Sequence, residues 1–160
     1  MEDFDEKQVQ ECSQLTILNG YHILKNVLSK EFVEQMKEAV LNEFNHQKEN
    51  GLTRSRGEGR WQIELHNGKG NWLHEELVAN AKLISVLWEL LGNDMVLASA
   101  VAHIAEPNAV PQPPHIDFEP LFNQYLPLPP YCVYLHIPLG KINCAQIKTL
   151  HINIFHLKSM

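Results

Sequence analysis

Residues 74–106, HEELVANAKLISVLWELLGNDMVLASAVAHIAE, decide the fold, because a helical hydrophobic period changes to a strand-like pattern at Gly92. Before Gly92, apolar side chains recur at helical spacing, which predicts one amphipathic helix. Its expected core face consists of Leu77, Ala81, Ile84, Trp88 and Leu91. Gly92 is expected to cap the C-terminus of this helix. Residues 95–106 are rich in small and β-branched side chains, and they predict a strand.

A second helix is predicted upstream, after a polar leader at residues 1–14 and a short β-like piece, GYHILKNV, at residues 20–27. Ser29 is a residue type that favours the N-cap position of this helix. Five apolar residues then fall on one helical face: Phe32, Val33, Met36, Val40 and Phe44. This spacing predicts that the helix packs on a hydrophobic core.

Two further strands are indicated by strict alternation of apolar and polar residues. In RWQIELH (60–66), the residues Trp61, Ile63 and Leu65 alternate with polar neighbours. In YCVYLHIPL (131–139), one face is formed by Tyr131, Val133, Leu135, Ile137 and Leu139. All nine prolines lie between residues 107 and 138, which predicts a loop-rich region. Helices precede most of the strands, so we expect one α+β domain with helices packed on an antiparallel sheet.

Composition limits the classes of partner and compartment. The chain of 160 residues has 19 acidic and 13 basic residues and a net charge of −6, which disfavours nucleic acid or an anionic membrane as a partner. No apolar run approaches the roughly 18 residues that a membrane-spanning helix requires. The acidic opening, MEDFDEK, differs from a signal peptide. Cys12, Cys132 and Cys144 are scattered, as is usual for free thiols. We therefore expect an intracellular, cytoplasmic protein.

Common catalytic motifs do not account for the remaining polar residues. The paired glycines at 57/59 and 68/70 complete neither a dinucleotide-binding fingerprint nor a phosphate-binding loop, so they are expected to be turn glycines. Cys132 is followed four positions later by His136, and on a strand that spacing separates them by roughly 13 Å. A nucleophile–base pair is therefore not expected there.

The stretch QPPHIDFEP (112–120) contains the strongest candidate site. In an extended segment, residues two apart lie on the same side, so the His115 imidazole and the Asp117 carboxylate can reach one metal ion. A second histidine from elsewhere would complete the two-histidine, one-carboxylate triad that binds Fe(II) and leaves coordination positions open. The alternative is that both residues are ordinary polar side chains in a proline-stiffened turn, and the spacing alone leaves both interpretations open.

The order of these motifs resembles that of the phytanoyl-CoA dioxygenase family of Fe(II)/2-oxoglutarate oxygenases, over residues 20–139. The resemblance rests on Gly20-Tyr21, the helix start LSKE at 28–31, the helix end LLG at 90–92 and the Q-x-x-H-x-D pattern at 112–117. It implies N-terminal helices packed on a double-stranded β-helix, or jelly roll, with His115 and Asp117 as iron ligands. It also implies hydroxylation of a small-molecule substrate, such as an acyl-CoA, coupled to decarboxylation of 2-oxoglutarate.

Two features depart from the family pattern. The family has a third ligand histidine and a 2-oxoglutarate-binding arginine on late strands, whereas no arginine follows Arg60, and only His151 and His156 follow the 131–139 strand. The tail GKINCAQIKTLHINIFHLKSM (140–160) has three lysines and no acidic residue. We expect residues 1–139 to form the N-terminal part of the family domain. The tail is expected to be foreign to it, as in a truncated isoform or a gene model that reads into an intron after Leu139.

Two functions follow from this pattern. The first is a phytanoyl-CoA-type dioxygenase that is incomplete and inactive as written, with Fe(II) and 2-oxoglutarate as cofactors of the full-length parent. The second is a non-catalytic binding or regulatory fragment of the same fold.

Overall fold

The computed structural model describes residues 3–65, 74–115, 117, 122, 128–140 and 150–158. Within these ranges the elements are, in chain order, α1 (Glu6–Asn19), α2 (Lys30–Glu49), β1 (Arg54–Ser55), β2 (Arg60–Glu64), α3 (Glu75–Val78), α4 (Ala81–Leu91), β3 (Met95–Ala105), β4 (Cys132–Pro138) and β5 (Leu150–Lys158). The strands form one sheet in the order β1-β2-β3-β5-β4, and every neighbouring pair is antiparallel. The predicted α+β class is thereby confirmed.

Helix α1 begins inside the segment that the sequence marked only as a polar leader. Asp5 caps it in a reciprocal arrangement, because Asp5 Oδ1 accepts a hydrogen bond from Gln8 N at 2.8 Å and Gln8 Oε1 accepts one from Asp5 N at 3.0 Å. The strand expected at residues 20–27 is not present. Gly20 at φ 77° and Asn26 at φ 55° both adopt left-handed backbone conformations, which interrupt an extended segment.

Helix α2 agrees with the sequence prediction. Ser29 Oγ accepts a hydrogen bond from Phe32 N at 3.1 Å, which confirms Ser29 as the N-cap. Val33 is half-buried, and the other four members of the predicted face are buried: Phe32, Met36, Val40 and Phe44. This face packs on side chains of β2, β3 and β4, namely Ile63, Ala100, Ala102, Ile104 and Ile137.

The prediction of a single helix before Gly92 is wrong, because the structure has two helices there, α3 and α4. Asn80 causes the break: its Oδ1 accepts from Lys82 N at 3.1 Å and Leu83 N at 3.3 Å, and its Nδ2 donates to Val27 O at 3.1 Å. The predicted core face shifts as a result, since Trp88 is 50% exposed. The buried residues of α4 are Leu83, Val86, Leu87, Leu90 and Leu91. Gly92 caps α4 as predicted, with its N–H donating to Trp88 O at 2.8 Å.

The helices cover one face of the sheet. Helix α4 and the flanking helix α1 form a second apolar cluster, which Val133 and Leu135 of β4 join. Period-two alternation therefore directs His136, which lies between Leu135 and Ile137, to the opposite face. None of the helices in the described ranges is both long and apolar enough to span a membrane.

Strand β5 comes from the tail that we expected to be foreign to the domain. It lies between β3 and β4, with Ile154 paired to Ala100 on one side and to Leu135 on the other. A jelly roll requires a second sheet, and the described strands form one sheet, so the jelly roll stays a prediction. The foreign origin of residues 140–160 stays a prediction as well.

Replacing residues 150–158 with a Gly-Ser segment of equal length should detach β4 from the sheet, because β5 supplies the hydrogen-bonded strand between β4 and β3. We expect amide exchange within β4 to accelerate by about tenfold or more, since the ladder bonds that its amides make to β5 are lost. Hydrogen exchange followed by mass spectrometry measures this. Unchanged protection of β4 would show that β5 does not pair with it.

Candidate metal centre

The segment that carries the H-x-D motif is fastened to the turn between β1 and β2. Glu106 N donates to Gly59 O at 2.8 Å, and Val110 N donates to Glu58 O at 3.2 Å. Arg60 Nε donates back to Val110 O at 2.6 Å. The turn and the loop at 106–112 therefore hold each other through both backbone and side-chain bonds.

Close contact at this junction requires glycine at position 59. Gly59 has φ +68°, and a Cβ there would lie 3.1 Å from both the Cα and the Cβ of Ala109. A larger residue would combine an unfavourable backbone conformation with a steric clash. Gln112, three residues before the histidine of the motif, adds a longer contact, because its Nε2 donates to Arg56 O at 3.4 Å.

His115 and Asp117 converge as their spacing predicted. His115 Nε2 lies 3.2 Å from Asp117 Oδ1, and both side chains are about half exposed. His115 Nδ1 lies 2.9 Å from the Pro113 carbonyl oxygen, which can only accept, so Nδ1 carries the proton and donates it. In the neutral imidazole, Nε2 then presents a lone pair to a carboxylate oxygen. That contact is favourable only when a proton or a cation lies between the two atoms.

This arrangement fits two adjacent positions of a metal ion. With ligand bonds of about 2.1 Å at right angles, neighbouring donor atoms are separated by about 3.0 Å, close to the observed spacing. A ligand histidine also commonly donates its other ring N–H to a backbone carbonyl, as His115 does to Pro113. Among the described residues, however, no group of three or more His, Cys, Asp or Glu side chains could hold a metal ion together.

The pair faces a surface cavity of about 210 Å³. Its ionisable lining residues are Arg56, Arg60, His103, His115, Asp117 and His136. Sequence reasoning missed the two arginines and the two strand histidines. A usable signal existed for His103 and His136, since each lies between apolar residues of its strand that pack on the helices, and alternation directs it to the other face.

His103 is half-buried in the wall of this cavity. Burial lowers the pKa of His103 below its ordinary value of 6.5, and the positive charge of Arg56 lowers it further. The Asp117 carboxylate acts in the opposite direction. His103 is therefore neutral at pH 7, the form in which an imidazole accepts a hydrogen bond or binds a metal.

Strand β4 supports Asp117 from its other side. Tyr134 Oη donates to the Asp117 carbonyl oxygen at 3.3 Å, which ties the motif to the sheet. Burial, with a smaller contribution from Asp117, raises the pKa of the Cys132 thiol to about 11. Cys132 therefore keeps its proton at neutral pH and is a poor nucleophile.

The two histidines that follow the 131–139 strand, His151 and His156, lie on β5. His151 is in register with His103 of β3 and with Pro138 of β4, and His156 is in register with Val133.

Comparison of the chain with known proteins gives neither a matching family model nor a matching curated protein.

Replacing Arg60 with Met should loosen the loop that leads to the metal pair. The substitution removes the 2.6 Å bond from Arg60 Nε to Val110 O but keeps a long side chain. One net hydrogen bond contributes about 1 kcal/mol, so we expect the Val110 amide to exchange roughly fivefold faster. Arg54→Met, in the exposed strand β1, is the matched control. Equal exchange in both variants would contradict a fastening role for Arg60.

The lowered pKa of His103 predicts acid sensitivity of the fold. As the pH falls, His103 takes up a proton in the unfolded chain before it does so in the folded chain. The contribution of neutral His103 to the free energy of unfolding is therefore complete above pH 6.5, and it decreases as the pH falls through the lowered pKa of the folded state. Urea unfolding at about pH 7.5 and 5.5 measures the decrease in the free energy of unfolding. We expect His103→Asn to reduce this loss, whereas His22→Asn, at an exposed position, should not. The same loss in both variants would contradict this assignment.

Proposed function

We propose that the chain is a domain of the Fe(II)/2-oxoglutarate oxygenase type, in which His115 Nε2 and the Asp117 carboxylate are two ligands of the iron. One observation carries the proposal: the two donor atoms lie 3.2 Å apart at a cavity, while the other ring nitrogen of His115 is held by a backbone carbonyl. Bound iron would supply oxygen activation for hydroxylation of a small-molecule substrate.

The chain's own residues prepare this site in three ways. The Pro113 carbonyl selects the His115 tautomer whose Nε2 is available for a metal. Tyr134 fixes the backbone at Asp117, and the turn before β2 fixes the loop that precedes the motif. His103 and His136 line the same cavity, so two further imidazole side chains are present beside the pair. The proposal includes the jelly roll as the parent architecture and 2-oxoglutarate as co-substrate.

A non-catalytic binding domain of the same fold is the second candidate. The observation that favours it is that the described residues do not assemble a third metal ligand around His115 and Asp117. Two ligands hold Fe(II) less tightly than a complete triad. The two candidates therefore differ in turnover and not in the position of the metal.

Anaerobic titration with Fe(II), and with Co(II) as a spectroscopic substitute, tests the metal site. We expect one equivalent to bind, and His115→Ala or Asp117→Ala to weaken binding by about tenfold or more. His22→Ala, an exposed histidine on another segment, is the control and should bind like the unmodified chain.

The outcomes separate the candidates. Succinate formed from 2-oxoglutarate by the metal-loaded chain supports the oxygenase, and metal binding without succinate supports the binding domain. If His115→Ala and Asp117→Ala bind metal as well as the unmodified chain does, the proposed centre is wrong.

A further inference from the structure

We infer that Lys48, in the last turn of α2, is a positioning residue for the His115–Asp117 pair, because it holds both the start of the loop at 106–112 and the Trp61 side chain. Lys48 is not among the described residues that line the cavity. The inference rests on the proposed metal centre for its effect on metal binding, whereas the contacts of Lys48 themselves belong to the metal-free chain.

The ammonium group of Lys48 joins three parts of the fold. Its Nζ donates to Glu106 Oε1 at 2.7 Å. The same nitrogen lies 5.3 Å from the centroid of the Phe44 ring and 5.0 Å from that of the Trp61 ring. These two rings are tilted by 49°, with their centroids 6.4 Å apart, so the ammonium lies over two ring faces at once. One side chain of α2 thereby contacts β2 and the residue that follows β3.

These contacts differ from an ordinary surface ion pair. Lys48 and Glu106 are 45% and 37% exposed, and an ion pair of that exposure contributes little by itself. Here two aromatic faces also attract the cation, and the Phe44 ring is buried in the core. The hydrogen bond from Lys48 lowers the pKa of the Glu106 carboxyl, so the pair stays charged at neutral pH and in mild acid. The lysine is therefore a fixed support for Glu106.

Glu106 begins the loop that leads to the metal motif. Its backbone N–H donates to Gly59 O at 2.8 Å, and its carbonyl oxygen accepts from Ala109 N at 3.1 Å. The bond to Lys48 holds its side chain as well. Helix α2 therefore supplies a support for this loop in addition to the turn between β1 and β2.

The loop is stiff enough to carry a displacement of Glu106 to the metal motif. Prolines occupy positions 107, 111, 113 and 114, between Glu106 and His115. Each proline ring fixes one φ angle, so the segment has few ways to absorb a shift at its start. Loss of the support from Lys48 should therefore displace His115 and raise the ordering cost of metal binding. Trp61 adds a second connection, since it contacts the ammonium and lines the cavity.

Replacing Lys48 with Met tests the inference, because it removes the ammonium and keeps a long unbranched side chain. In the metal-free chain, we expect the Ala109 and Val110 amides to exchange about threefold faster, as measured by NMR. We expect Co(II) to bind about threefold more weakly and with an altered visible spectrum, since that spectrum reports the geometry of its ligands. Lys48→Arg keeps a cation over the rings and should restore all three properties.

Lys37→Met is the matched control. Lys37 lies on the same helix, and its Nζ forms an ion pair at 3.1 Å with Glu34 of that helix instead of with the loop. We expect it to change loop exchange and Co(II) affinity by less than about twofold. In a double-mutant cycle, Glu106→Gln should have little further effect once Lys48 is Met, because the two side chains act through one contact.

The outcomes separate this inference from the proposed function. Equal loop exchange in Lys48→Met and Lys37→Met would overturn the inference, and so would a Co(II) defect that follows a lowered urea midpoint and that Lys48→Arg does not restore. Co(II) binding that depends on His115 but not on Lys48 would overturn it and leave the proposed function standing. If the unmodified chain binds no Co(II), the proposed function fails, while faster loop exchange confined to Lys48→Met still supports the role of Lys48 in holding the loop.

Discussion

Period-two alternation along β3 is the constraint on which both sides of the sheet depend. Ala100, Ala102 and Ile104 are buried beneath α2, and the small alanine side chains let the bulky face of the helix approach the sheet. The same alternation directs His103 to the face away from the helices, where it lines the cavity. A shift of one residue in register would bury the histidine in the apolar core and expose the alanines. The packing that stabilises the domain therefore also fixes the position of the polar site.

The junction between the β1–β2 turn and the loop at 106–112 is the second constraint. Proline-rich segments lack some backbone donors, so they depend on neighbours to hold them in place. Here Gly59 allows the approach, and Arg60 closes it with a side-chain bond to Val110 O. The turn that fastens the loop is the same turn that carries Arg56 into the cavity. The contact between this turn and the loop at 106–112 therefore fixes the positions of both the metal motif and the arginines.

Local features of the fold were predictable from sequence, and features set by competing local signals were not. The Ser29 cap, the buried face of α2 and the alternation of β4 depend on a few adjacent residues, and they agree with the structure. The break at Asn80 was missed because a helical period continues through it. Its cause is a side chain that caps the next helix and also bonds Val27, a residue distant in sequence.

The site divides in the same way. Convergence of His115 and Asp117 follows from a spacing of two residues and was predicted. The positions of His103 and Arg56 beside this pair depend on strand register. Gln62 of β2 is in register with His103 of β3, and Gln62 Oε1 also accepts a hydrogen bond from Arg56 Nε. Such long-range pairings cannot be read from a single sequence without knowing which strands are neighbours.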